Sequence, residues 1–164
     1  MKIEIGGCAA DTTPREGYLQ VDAFGEPDVL ARLEAMPFRG IEEIYASHVL
    51  EHLPNVSIVP ALREIRRALS PEGRLELWVP DLIWHLRRFL NEADYATRWG
   101  LHLETLFGSQ EHEGQYHRTG FTPRRLAECL LMAGYREVNV RRAKRKERQR
   151  GDYSPMEIHA EARS

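Results

Sequence analysis

Only two cysteines, Cys8 and Cys129, occur in 164 residues, and they lie far apart in the chain. That fits free thiols in a reducing cytoplasm better than a secreted disulfide framework. No apolar run approaches the ~20 residues needed to span a bilayer, and the opening M-K-I-E-I-G-G lacks the apolar core of a signal peptide. A soluble, cytoplasmic chain with no membrane partner is therefore expected. Neither sign of charge is in excess: 23 Lys and Arg stand against 25 Asp and Glu, for a formal net charge of −2. Such a balance offers no global attraction to nucleic acid or an anionic membrane surface. Internal repeats, linkers and low-complexity tracts are also missing, so one domain over residues 1–164 is expected, long enough to bury a core without staples.

What is present centres on residues 44–53, read I-Y-A-S-H-V-L-E-H-L. An apolar segment, Ile44 to Ala46, ends abruptly in Ser47, His48, Glu51 and His52, as a buried strand does when it delivers reactive groups at its carboxyl end. Open α/β sheets bind ligands at that end. Ser57 is a candidate N-cap for a helix with Pro60 in its first turn and the apolar stripe Ile58, Leu62, Ile65 and Leu69. Pro71, Glu72 and Gly73 are expected to end that helix. Alternation at Leu75, Leu77 and Val79 then predicts a strand stopped by Pro80. Strand, helix, strand in that order predicts a parallel pair with a right-handed crossover.

Lys2 to Ile5 predicts a strand opening onto Gly6, Gly7 and Cys8, and Tyr18 to Val21 a second strand ending on Asp22. The twelve residues from Gly6 to Gly17 leave little room for a crossover helix, so the first crossover is expected to be reduced. Asp28 to Ala35 has the spacing of a short helix, with Val29, Leu30 and Leu33 on one face. Asp81 can cap a helix with the stripe Leu82, Leu86, Phe89 and Leu90, and Asp94 opens another amphipathic stretch through Tyr95, Trp99, Leu103 and Leu106. Phe107 to Phe121 reads as a long loop, a class of segment that is often functional. Thr122 with Pro123 starts a further helix, Leu126, Leu130 and Leu131 facing inward and Gly134 stopping it. Tyr135 to Val140 and Met156 to Ala162 predict a closing hairpin. Its basic link, Arg141 to Arg150, reads as a solvated tip rather than a nucleic-acid grip, because no RNA-binding aromatic signature accompanies it.

Taken in order, I-E-I-G-G-C (3–8), G-Y-L-Q-V-D (17–22), M-P-F (36–38), E-E-I-Y-A-S-H-V-L-E-H-L (42–53), L-S-P-E-G-R-L-E-L-W-V-P-D (69–81) and F-T-P-R-R-L-A-E-C-L-L-M-A-G-Y (121–135) resemble the small class I S-adenosylmethionine-dependent methyltransferases of bacteria and phage that carry an L-E-H-L motif. The resemblance implies an α/β, Rossmann-like fold with sheet order 3-2-1-4-5-7-6 and strand 7 antiparallel. It implies S-adenosyl-L-methionine as cofactor, with Gly6, Gly7 and Cys8 at its methionine end, Asp22 beside Ala23 at the ribose, Met36, Pro37 and Phe38 at the adenine, and Ser47 and His48 beneath the sulfonium. The sequence departs from the family in reading G-G-C where G-C-G is commoner.

His52 is the first candidate for a general base, since an imidazole near neutral pKa can take a proton from an acceptor hydroxyl or amine. The loop that carries His112, Tyr116 and His117 resembles the family segment that closes over the substrate. Those three residues could orient an acceptor hydroxyl. The implied partner is a small-molecule or glycan methyl acceptor, with O-methylation as the expectation. Other readings stay open. The segment from His48 to His52 also spells the inverted zinc-peptidase motif H-x-x-E-H, with His112 or His117 as a possible third ligand. Its position directly after a strand and before Pro54 argues against a helix, so no metal is expected. A noncatalytic binding domain and a dinucleotide oxidoreductase are the remaining alternatives, the latter lacking the further glycine of its fingerprint.

Overall fold

The computed structural model describes residues 1–6, 15–23, 25–144 and 156–164. Gly7 and Cys8, with the middle of the first crossover, and residues 145–155, which include most of the basic link, lie outside them. The strands are β1 (Lys2–Ile5), β2 (Leu19–Asp22), β3 (Val29–Leu30), β4 (Ile41–Ser47), β5 (Leu69–Pro80), β6 (Arg136–Lys144) and β7 (Met156–Arg163). They form one sheet in the order β3-β2-β1-β4-β5-β7-β6, as the resemblance implies. β1 to β5 pair in parallel, and β7 runs antiparallel between β5 and β6.

β4 is central because its side chains are apolar on both faces: Ile41, Ile44, Tyr45 and Ala46 are all buried. Such near-continuous apolar runs mark strands covered on both sides. Helix α1 (Ile58–Ala68) covers one face with Ile58, Ala61, Leu62, Ile65 and Ala68, each at most 1% exposed. It packs beside the later helix Pro123–Met132, and Tyr135 donates its hydroxyl to the Leu62 carbonyl at 3.1 Å.

Several local expectations differ from what is observed. Ser57 makes no side-chain cap; α1 is entered through a 3-10 turn, Asn55–Ser57, which aligns the backbone instead. The helix also ends at Ala68, and Leu69 to Gly73 belong to β5, where the register against β4 shifts. Asp28 to Ala35 is not a helix but the two-residue β3 followed by a 3-10 turn at Leu33–Ala35, because pairing with β2 outweighs a weak local period.

Helix α2 (Leu82–Asn91) is capped as expected, Asp81 accepting from the amides of Ile83 and Trp84 at 3.0 and 3.3 Å. Its inward residue is His85, whereas Leu86 and Leu90 are exposed. Short helices α3 (Tyr95–Thr97) and α4 (Leu103–Phe107) flank a π turn at Arg98–His102. Helix α5 (Pro123–Met132) starts on a Thr122 cap and buries Leu126 and Leu130, while Leu131 faces solvent. No helix among the described residues is long and apolar enough to cross a membrane.

Glu76 on β5 gives the sheet a measurable pH dependence. His159 on β7 contacts it at 3.3 Å, the Trp78 indole donates to it at 2.9 Å, and Arg15 lies 3.9 Å away. The hydrogen bond with His159, then those with Trp78 and the charge of Arg15, hold the carboxyl down at about 2 against the cost of burial. A carboxylate depressed in the folded state contributes stability above its unfolded value and loses it as pH falls toward the folded one. Glu76→Gln is expected to cost about 1–2 kcal/mol at neutral pH, discounted for partial exposure, and nothing near the folded pKa. Urea unfolding of both proteins across acid pH checks it.

Candidate functional site

The registers of β1, β2 and β4 bring their carboxyl ends level: Ile5 pairs with Val21 on one side and with Ala46 on the other. The next residues, Gly6, Asp22 and Ser47, therefore lie at the same height and border one cleft of about 990 Å³. A cleft of that size can take a cofactor and a small substrate together. Gly6 has φ +79°, and a Cβ there would meet Val49 Cγ2 at 2.6 Å, so no other residue keeps this backbone path so close to the β4 tip. Asp22 accepts from the Ala23 amide at 2.6 Å, and the Ala31 amide donates to the Asp22 carbonyl at 2.8 Å. These bonds carry Ala31, Arg32 and Leu33 onto the same wall, a consequence of the β2–β3 pairing that local patterning did not reveal.

The expected site residues divide accordingly. Gly6, Asp22, Ala23, Ser47, His48, His52, His112 and His117 border the cleft. Met36, Pro37, Phe38 and Tyr116 are not among the lining residues: Met36 is 2% exposed within the core, and Phe38 packs half-buried against it. Gly7 and Cys8 lie outside the described residues.

Directly after β4, His48 takes φ +56° and its amide donates to the Trp78 carbonyl at 2.9 Å. Leu50–His52 is a single 3-10 turn. His48 and His52 therefore do not share a helix face, and the zinc-peptidase geometry suggested by H-x-x-E-H is absent. Instead the His48 ring lies between two buried carboxylates, Nδ1 at 3.1 Å from Glu51 Oε1 and Nε2 at 2.9 Å from Glu157 Oε1 on β7. Burial disfavours the imidazolium, but the contacts with Glu157 and Glu51 outweigh it and push its pKa up to about 9. At neutral pH His48 is a cation and no base. Nothing near it in sequence signals Glu157, 109 residues away.

Also bordering the cleft, His52 has Nδ1 3.1 Å from the Tyr116 carbonyl. A carbonyl only accepts, so Nδ1 carries a proton, and in the neutral ring the lone pair is on Nε2. The His117 ring stands edge-on to His52, with centroids 4.9 Å apart, and burial lowers its pKa, leaving it neutral. His112 Nδ1 accepts from the Gly114 amide at 3.2 Å, which places the proton of the neutral ring on Nε2. The chain around His117 is stitched down: the Arg118 and Thr119 amides donate to the Glu51 carbonyl at 2.7 and 3.1 Å, and the Leu82 amide to the Phe121 carbonyl at 3.0 Å. Beneath, Asp81 pairs with Arg142, and burial drives His85 down to about 4.

A seven-stranded sheet in this order, its penultimate position filled by an antiparallel strand and its cleft over the first, second and fourth strands, is the class I methyltransferase fold. Solved structures similar to this chain share it. A methyltransferase from Methanosarcina mazei described as S-adenosylmethionine-dependent has 14% identity over 99% of this chain and 91% of its own, with TM-score 0.64. The 1,6-didemethyltoxoflavin-N1-methyltransferase of Burkholderia thailandensis, crystallised with 1,6-didemethyltoxoflavin and S-adenosylhomocysteine, has 16% identity over 99% of this chain and 70% of its own, with TM-score 0.61. A further S-adenosylmethionine-dependent methyltransferase, from Archaeoglobus fulgidus, has 14% identity over 99% and 85%, with TM-score 0.59. No family model and no curated protein matches the sequence.

Proposed function

We propose that this chain is an S-adenosylmethionine-dependent methyltransferase acting on a hydroxyl of a small molecule or glycan. The observation that carries the reading is the convergence of Gly6, Asp22 and Ser47 on one cleft that His52, His112 and His117 also border. The residues fit the cofactor. Asp22 offers a carboxylate for ribose hydroxyls, Gly6 a close-approach backbone, and Ala31 to Leu33 an apolar and cationic wall for the adenine. When bound, the cofactor supplies an electrophilic methyl group on a cationic sulfur.

The chain's own contribution is to hold the acceptor in line and keep water out, which accounts for most of the rate in such a transfer. His52 Nε2, with its tautomer set by the Tyr116 carbonyl, can take the acceptor's proton, and His112 and His117 orient the oxygen. That the toxoflavin-precursor enzyme holds an acceptor and the demethylated cofactor together supports room for both in this fold.

Calorimetric titration with S-adenosylmethionine and S-adenosylhomocysteine tests the proposal. One site per chain with a dissociation constant on the order of micromolar is the expected result. Absence of saturable binding of either compound would leave a noncatalytic domain as the better reading.

A further inference from the structure

We infer that Glu51, His52 and His117 form a binding site for one divalent transition-metal cation of the zinc class at the border of the cleft. One ligand atom from each of the three lies within 4.8 Å of the others. Tetrahedral bonds of about 2.0–2.1 Å put ligand atoms about 3.3 Å apart, so side-chain adjustments of roughly 1 Å would close the set.

Two further observations point to a cation. Glu51 is 1% exposed; Oε1 lies 3.1 Å from His48 Nδ1, and Oε2 has no hydrogen-bond partner among the described residues. A buried carboxylate oxygen without a partner is costly, and a cation is the partner that suits it. Both histidines are also anchored through backbone carbonyls, His52 to that of Tyr116 and His117 to that of Leu106. That is the arrangement by which metal-ligating imidazoles are oriented, one nitrogen held by a carbonyl and the other left with its lone pair.

Charge agrees. Glu51 and Glu157 bring two buried carboxylates together around one imidazole, a setting that favours a cation. Two imidazoles and one carboxylate suit zinc, cobalt or iron rather than magnesium or calcium. Three protein ligands leave a coordination position open, as in catalytic rather than structural centres, and His52 and His117 border the cleft. The ligand set is not the one H-x-x-E-H spells, since His48 is held by two carboxylates and His117 comes from the distant loop.

This inference rests on the methyltransferase reading for its consequence. An acceptor hydroxyl on the cation would release its proton to water, leaving a metal-held oxygen nucleophile, and His52 would act as ligand instead of proton acceptor.

The test is titration of the chelator-stripped full chain with Co²⁺ and Zn²⁺, alongside S-adenosylhomocysteine. One Co²⁺ per chain is expected, giving the visible spectrum of nitrogen and oxygen ligands, displaced by Zn²⁺. His52→Asn, His117→Asn and Glu51→Gln should each weaken it at least tenfold on the general scale of lost ligands. Should a variant fail to fold, Co²⁺ broadening of the ring resonances of His52 and His117 in the unaltered chain reports the same contact. No saturable uptake, or uptake that all three variants retain, overturns the site even when S-adenosylhomocysteine binds. Uptake without S-adenosylhomocysteine binding upholds the site and overturns the methyltransferase reading.

Discussion

His48→Ala is expected to destabilise the chain by about 3–5 kcal/mol, the range for removing one partner from a buried charge pair. The imidazole sits 3.1 and 2.9 Å from the carboxylates of Glu51 and Glu157, which are 2% and 3% exposed at their side chains. Without it both would be left in the interior with no compensating cation. That loss is a large share of the 5–15 kcal/mol that hold a domain of this kind together. Urea unfolding in the presence of a chelator measures it. Adding Glu157→Gln to the alanine variant should recover part of the loss, because it removes one of the two stranded charges. If the single substitution proves nearly neutral, the cluster does not carry the charges assigned to it.

Asp22→Ala is expected to weaken S-adenosylhomocysteine binding by about 10–100-fold, because hydrogen bonds to a charged acceptor contribute roughly 1.5–3 kcal/mol and each 1.4 kcal/mol is a factor of ten. Asp22→Asn retains an oxygen for the Ala23 amide and loses the charge, so its affinity should fall between the two. The measurement is calorimetric, at equal folded fraction. Unchanged affinity in the alanine variant would remove Asp22 from the cofactor site and with it the principal recognition element of the proposal.

Much of the architecture was legible because local chemistry and tertiary demand agree. The apolar run of β4 ending in Ser47 and His48, the Asp81 cap, and the Thr122–Pro123 start each have a short-range physical cause. The sheet order came through the resemblance of ordered motifs rather than from periodicity. What stayed hidden depends on distant partners. The two-residue β3 is too short to show a period and exists because β2 offers it an edge. The exposure of Leu86 and Leu90 reflects which helix face meets its neighbours, a choice that the chosen stripe got wrong by one position around His85. At the cleft, the histidines could be picked out by type, but their division into a cation, a lone-pair acceptor and a ring with its proton on Nε2 follows from Glu157, the Tyr116 carbonyl and the Gly114 amide.

The His117 amide meets the Phe107 carbonyl at 3.0 Å, so residues 108–116 leave and return at a single point, and Gly108, at φ +81°, makes the departure where a Cβ would strike the Gln115 carbonyl. Growth of such a pinched excursion is cheap, about 0.6 kcal/mol for each doubling of its length. Descendants of this chain could thus acquire a longer canopy over the cleft while the histidine at the base of the excursion keeps its position.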